Sequence, residues 1–198
     1  MSAMSLPARV RLIGLLLAVL TGVRPGSAQV VDPAYRFRSM DTGHFVIHFH
    51  GETAELAARL ATIAEDTWGR FCLRPGVPPP AVTHVVVTDQ SESANGYAST
   101  LPRNTIVLYV AAPAAASLLN PDDWLETLFV HEFTHVVHLD RAEGWARAAR
   151  FVFGRAPWTF PNLMLPTWQI EGLATLEETA MHSSPDRGRQ HAGDFGVL

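Results

Sequence analysis

His131-Glu132-Phe133-Thr134-His135 puts two imidazoles and a carboxylate within little more than one helical turn. Residues at i and i+4 share a helix face, so both imidazoles can converge on one cation. Glu132 stands beside them, within reach of a water that such a cation would activate. Imidazole nitrogens and an open coordination position suit Zn2+, which still needs a third protein ligand. Trp168-Gln169-Ile170-Glu171-Gly172-Leu173-Ala174 offers Glu171 from a separate helix, whose start is fixed by Pro166 and whose small Gly172 and Ala174 permit close packing. His138 is the rival. It shares the face of His131 and His135, but as a ligand it needs a bent helix. It can equally be an outer partner steadying a ligand, or a polar residue at the pocket edge. Asp140 and Glu178 are weaker candidates for that outer position.

The elements that must carry these residues are legible from punctuation and periodicity. Asn120 can cap a helix, Pro121 suits its first position, and Asp122 and Asp123 favour its positive end. That helix is predicted from Pro121 to about Leu139 and is apolar nearly all round, as a buried helix is. Upstream, 44–50 alternates as a strand, with Phe45, Ile47 and Phe49 on one face and His44, His48 and His50 on the other. The three His read as a polar strand face, with a metal patch as the alternative. A helix follows over 52–70, a Pro- and Gly-rich loop over 74–80, a strand over 83–88, a turn or loop over 89–99 that contains Asn95-Gly96, and a strand over 105–110. The connection 141–166 holds a short helix around 145–153 and mixes Arg147, Arg150 and Arg155 with Trp145, Phe151, Phe153, Trp158 and Phe160. A cover over the motif helix is expected of it, a membrane-surface or partner-binding segment being the alternative. A last helix is expected over 167–179, then a tail after Ser183.

Of the 198 residues, 47% are hydrophobic and 17% charged, enough apolar material for a core and too little charge for a disordered chain. The net charge of −4 argues against a nucleic-acid partner, which calls for a basic patch. Arg9 and Arg11, the short apolar run 12–20 and Gly26-Ser27-Ala28 read as a cleavable leader over residues 1–28. The protein is then exported, periplasmic or extracellular, with no membrane contact expected beyond the leader. An uncleaved anchor is the alternative, although the run is short of the ~20 residues that span a bilayer. Cys72 is the one cysteine, so no internal disulfide forms, and a buried structural thiol is expected.

The HExxH motif at 131–135, the strand 105–110 before it and Trp168-x-x-Glu171-Gly172-x-Ala174 after it together resemble the gluzincins, in particular bacterial peptidase MA-like proteins. The resemblance covers about Tyr35 to Thr179. It implies an α+β, zincin-like fold, with a small mixed sheet over the motif helix and a following ligand helix. One domain over 29–198 would have a sheet-containing part, 29–115, and a helical part, 116–198. It also implies zinc, hydrolysis of a peptide or protein substrate, Glu171 as third ligand, and an edge strand that binds extended peptide. Thr105, Ile106, Val107, Leu108 and Tyr109 would form that strand. Such proteins are often longer, which implies a missing C-terminal domain. Related peptidases often place a Tyr or His from later in the chain on the developing oxyanion. Here His182 and His191 follow the ligand helix, and Tyr35, Tyr97 and Tyr109 all precede it, so that group is unassigned. A catalytically inactive zincin-fold module that binds peptides or a partner is the alternative.

Overall fold

Alternating apolar residues build a five-stranded sheet whose inner face receives the helices. The structure, a computed structural model, describes residues 35–73, 80, 82–90, 95–110 and 121–182, all within the compact unit Tyr35–Leu198. The expected leader, the loop at 74–79, the Ala-rich stretch around Ala114, the cap Asn120 and the tail from Ser183 with His191 lie outside the described residues. So do the side chains of Asp122, Asp123 and His182.

The strands are β1 (Arg38–Asp41), β2 (Phe45–Phe49), β3 (Thr83–Thr88), β4 (Asn95–Ser99) and β5 (Thr105–Tyr109), in the spatial order β1-β2-β3-β5-β4. The pairs β2–β3 and β3–β5 are parallel, and β1 and β4 run antiparallel at the two edges. The register aligns Met40, Ile47, Val85, Ile106 and Ala98 in one row across all five strands. Because side chains alternate along a strand, this row and its neighbours Phe45, Val87 and Leu108 form one apolar face, fully buried at β2, β3 and β5.

Four helices complete the described α+β architecture: α1 (Ala54–Cys72), α2 (Pro121–Asp140), α3 (Gly144–Phe153) and α4 (Thr167–His182). Helix α1 buries Ala57, Leu60, Ala64, Thr67 and Phe71, a stripe at helical spacing. Helix α2 lies between the sheet and α4, which is why it is apolar on nearly every side. Edge-to-face contacts of Phe45 with Phe129 and Phe133, at 5.5 and 5.2 Å, tie α2 to β2. Pairs of this kind add about 0.5–1.5 kcal/mol beyond their burial. No helix among the described residues is long and apolar enough to cross a membrane.

Four expectations are corrected. The stretch over 89–99 is not all loop, because Asn95–Ser99 forms β4 and pairs with β5. In consequence β5 is an interior strand, paired on both sides, and Thr105–Tyr109 has no free edge to offer a peptide. Cys72 is exposed rather than buried, since the last turn of α1 turns Phe71 inward and the next residue outward. Finally, α3 does not cover α2 with its apolar side chains: Trp145, Phe151, Val152 and Phe153 are exposed.

The three His around β2 do not form a patch. His44 pairs with Glu65 at 2.7 Å and stacks on Trp68, His48 bonds His84 at 3.0 Å, and His50 is buried beside Asp89 at 3.1 Å.

Candidate metal centre

Helix α2 turns His131, Glu132, His135 and Leu139 into a pocket of about 330 Å3. Asn95, Gly96, Tyr97 and Ala98 of β4 form the opposite wall, and Ile170 and Glu171 of α4 close one side. The i, i+4 spacing does what the sequence suggests. The two imidazoles meet edge to face with centroids 4.8 Å apart. Helix α4 packs along α2 and brings Glu171 to them from outside the motif. Glu171 Oε2 lies 3.4 Å from His131 Nε2 and 3.5 Å from His135 Nε2.

These separations are long for hydrogen bonds. They match the edge of a tetrahedron with metal–ligand bonds of ~2.0–2.1 Å, which is about 3.3–3.4 Å. The three ligand atoms all lie within 4.8 Å of one another, so the group could hold a metal ion. Two imidazole nitrogens and one carboxylate oxygen form a donor set suited to zinc.

The surroundings prepare the ligands. His131 Nδ1 lies 3.2 Å from Glu178 Oε2. A carboxylate there favours the Nδ1–H tautomer and leaves the Nε2 lone pair facing Glu171. Burial pushes the His135 pKa down, against the opposing pull of Glu171, which favours a neutral imidazole. Its Nδ1 is buried without a hydrogen-bond partner.

Glu132 is 5% exposed. Burial raises its pKa to about 7, with His131 opposing and Glu171 reinforcing the shift. A carboxylate so placed changes protonation state near neutrality. Gly96 makes this position possible. A Cβ on Gly96 would lie 2.9 Å from both Cγ and Oε1 of Glu132, so any side chain there would collide with the carboxylate. The glycine that reads as a turn signal marks instead a strand that must approach another group closely.

The other candidates are elsewhere. His138 faces a second, smaller pocket with Phe71, Thr134, Val137, Arg141, Leu173 and Glu177, and it does not belong to the ligand group. At i+7 from His131, His138 lines that second pocket and not the one holding His131 and His135. Glu178, seven residues after Glu171, occupies the outer position that was considered for His138. Asp140 is also outside the pocket, held by Arg150 at 2.9 Å, Arg155 at 3.0 Å and Asn104 at 2.8 Å. Thr105 to Tyr109 contribute nothing to the pocket wall, which belongs to β4. Tyr97 packs toward Tyr109, with ring centroids 6.4 Å apart. That pairing lies on the sheet face away from Gly96, because the two residues alternate along β4.

No protein-family model matches the chain, and no curated protein matches it in sequence. Among solved structures, an aminopeptidase N family protein from Idiomarina loihiensis is weakly similar, with a TM-score of 0.44 and 16% identity over 75% of this chain. The match spans 25% of that protein, so this chain corresponds to about a quarter of its length. A likeness this slight carries no argument about activity, and the functional reading rests on the geometry of the pocket.

Proposed function

We propose that this chain is an exported zinc-dependent peptidase with a zincin-like fold, in which Glu132 is the general base. The observation that supports it most is the convergence of His131, His135 and Glu171 from two helices onto one point, with a buried carboxylate of raised pKa in the same pocket. Polar groups are costly to bury without partners, and three of these four lie on one buried helix.

His131, His135 and Glu171 would hold the zinc. When bound, the ion supplies Lewis-acid polarisation of a carbonyl and acidifies a water. The protein does the rest. Glu132 accepts a proton from the attacking water and returns it to the leaving amine. Glu178 steadies His131 in the tautomer that presents Nε2. Among the described strands β4 is an edge strand, and it lines the pocket wall, so its outer backbone groups can pair with an extended peptide. Gly96 leaves room for such a peptide and for Glu132 together. The substrate strand is thus Asn95–Ser99 instead of Thr105–Tyr109.

Metal analysis of the purified chain, coupled to a broad peptide-cleavage screen, tests this. About one zinc per chain with cleavage is expected. Zinc without cleavage would favour the alternative, an inactive peptide-binding module, and absence of bound zinc would remove the reading altogether.

A further inference from the structure

The segment 144–170 shows solvent the residues a helix ordinarily hides. On α3 the inward residues are Ala146 and Arg150, while Trp145, Ala148, Phe151 and Val152 point outward. Phe151 is 92% exposed and Trp145 71%. At the helix end Phe153 meets Trp158 at 5.1 Å, and farther along the segment Met164 and Trp168 are also exposed. Exposed apolar patches rimmed by polar residues mark docking sites.

This surface is held firmly from behind. Arg150 donates to Asp140 O at 2.6 Å and to Thr159 O at 3.0 Å, and its guanidinium lies 3.9 Å over the Phe160 ring. Arg155 donates to Thr100 O and to Asn104 Oδ1, both at 2.6 Å. Arg150 and Arg155 therefore anchor the segment inward, and Trp145, Phe151 and Val152 are left outward.

We propose that this face docks on an anionic phospholipid surface. Residues 144–170 contain three Arg and no Asp or Glu in a chain whose net charge is −4, and they hold three of its five Trp. Asp140 offsets the charge of Arg150 and Arg155 only in part, and Arg147 is exposed beside the apolar ridge. Tryptophan, phenylalanine and arginine on one short amphipathic helix fit the headgroup boundary. The segment would lie on the bilayer rather than cross it. Trp168 stands one turn before Glu171, so the metal pocket would open close to the lipid surface. This inference does not depend on the peptidase reading.

The test is tryptophan quenching by brominated lipid, with full-length protein on phosphatidylglycerol and phosphatidylcholine vesicles. Residues 1–34 contain no Trp, so insertion of the leader alone gives no signal. Quenching and a blue shift on phosphatidylglycerol are expected. Phe151→Ser/Val152→Ser keeps every Trp and should weaken vesicle binding about tenfold or more. Arg147→Glu should weaken binding to phosphatidylglycerol, also about tenfold, and leave phosphatidylcholine unaffected. Circular dichroism and thermal denaturation confirm that both variants fold. Vesicle binding without quenching, or quenching equal in all three proteins, overturns the proposal. So does a concentration-dependent dimer that the double variant dissolves in the absence of lipid binding, which would assign the face to a second copy.

Discussion

Helix α2 hides polar side chains and helix α3 displays apolar ones. Both reverse the usual rule, and the two reversals differ in kind. On α2, Glu132, Thr134 and His135 are buried. Thr134 is satisfied by Val130 O at 2.7 Å, while Glu132 and His135 face the pocket. On α3, Trp145 and Phe151 face water although arginines hold the helix in place from behind. A buried polar group or an exposed apolar patch is the informative exception in a fold. The first exception marks a place where chemistry is concentrated, and the second a place where a partner completes the surface. Substitutions at the pocket residues of α2 should therefore change chemistry, and substitutions on the exposed apolar face of α3 should leave both chemistry and stability alone.

The largest effect is expected at Glu132. Glu132→Gln should keep zinc stoichiometry near wild type and lower peptide hydrolysis about 10²–10⁴-fold. Unchanged hydrolysis would remove Glu132 from its role. Glu171→Ala should weaken zinc binding by more than the ~10–100-fold that loss of an outer partner costs. Zinc held as tightly as in wild type would break the ligand assignment.

The raised pKa of Glu132 gives a pH signature in the metal-free protein. Its folded pKa of about 7 lies above its unfolded value, so the folded state binds the proton more tightly. The associated stability is complete at low pH and is lost as pH rises through about 7. His135 has the opposite sign. Its pKa is lowered, so its contribution is present above the ordinary imidazole value of ~6.5 and is lost as pH falls. His48, His84 and His138 share the sign of His135, so the Glu132 effect is read as the difference between the protein and Glu132→Gln. Relative to Glu132→Gln, the metal-free protein should lose Tm as pH rises through about 7. A Tm difference that stays constant with pH would remove Glu132 from this dependence.

Gly96 is next. Gly96→Ala forces a methyl group against Glu132, and overpacking of this kind costs about 1–3 kcal/mol. Thermal denaturation should show the loss, and hydrolysis should fall with it because the carboxylate must move. If the Tm is unchanged, the close approach is not a constraint. Glu178→Gln keeps the shape and weakens the carboxylate contact to His131. Zinc affinity should drop about 10–100-fold, while His138→Ala should leave it nearly unchanged. The reverse order would restore His138 to the outer position.

How legible all this was from sequence depends on the kind of signal. The i, i+4 pair survived intact because helix geometry alone fixes it. The helix over 121–140 and the strand over 83–88 fall where punctuation and alternation put them. Strand β4 was hidden because Asn95-Gly96 is also a turn dipeptide, and only the position of Glu132 shows why glycine is needed there. That one residue pair then misplaced the sheet edge, because without β4 the outermost strand is β5. His138 misled for a similar reason. Helical spacing places it on the ligand face only approximately, and the structure turns it into a different pocket. Glu178 carries a signal that was readable, since it lies two turns from Glu171 on one helix, but only packing of α4 on α2 says which imidazole it meets. The outward face of α3 was not legible, because periodicity gives the apolar stripe of a helix without saying which way the stripe points.

The smallest effect is expected at the most exposed aromatic. Phe151→Ser removes a side chain that is 92% exposed. Almost none of its apolar surface leaves water on folding, so little transfer energy is lost. Position 151 lies in the last turn of α3, and serine and phenylalanine have similar helix propensity. The change in unfolding free energy should stay within about 0.5 kcal/mol, as for surface sites generally. Phe45→Ala is the matched control from the interior. Phe45 is fully buried and touches Phe129 and Phe133, so its loss removes transfer energy and leaves a cavity. Core Phe→Ala changes of this type cost about 3–5 kcal/mol. Chemical denaturation of the two variants therefore measures the contrast between the regions with one residue type. A cost at Phe151 comparable to that at Phe45 would mean that α3 packs its aromatics inward in solution, and the outward apolar face would not exist.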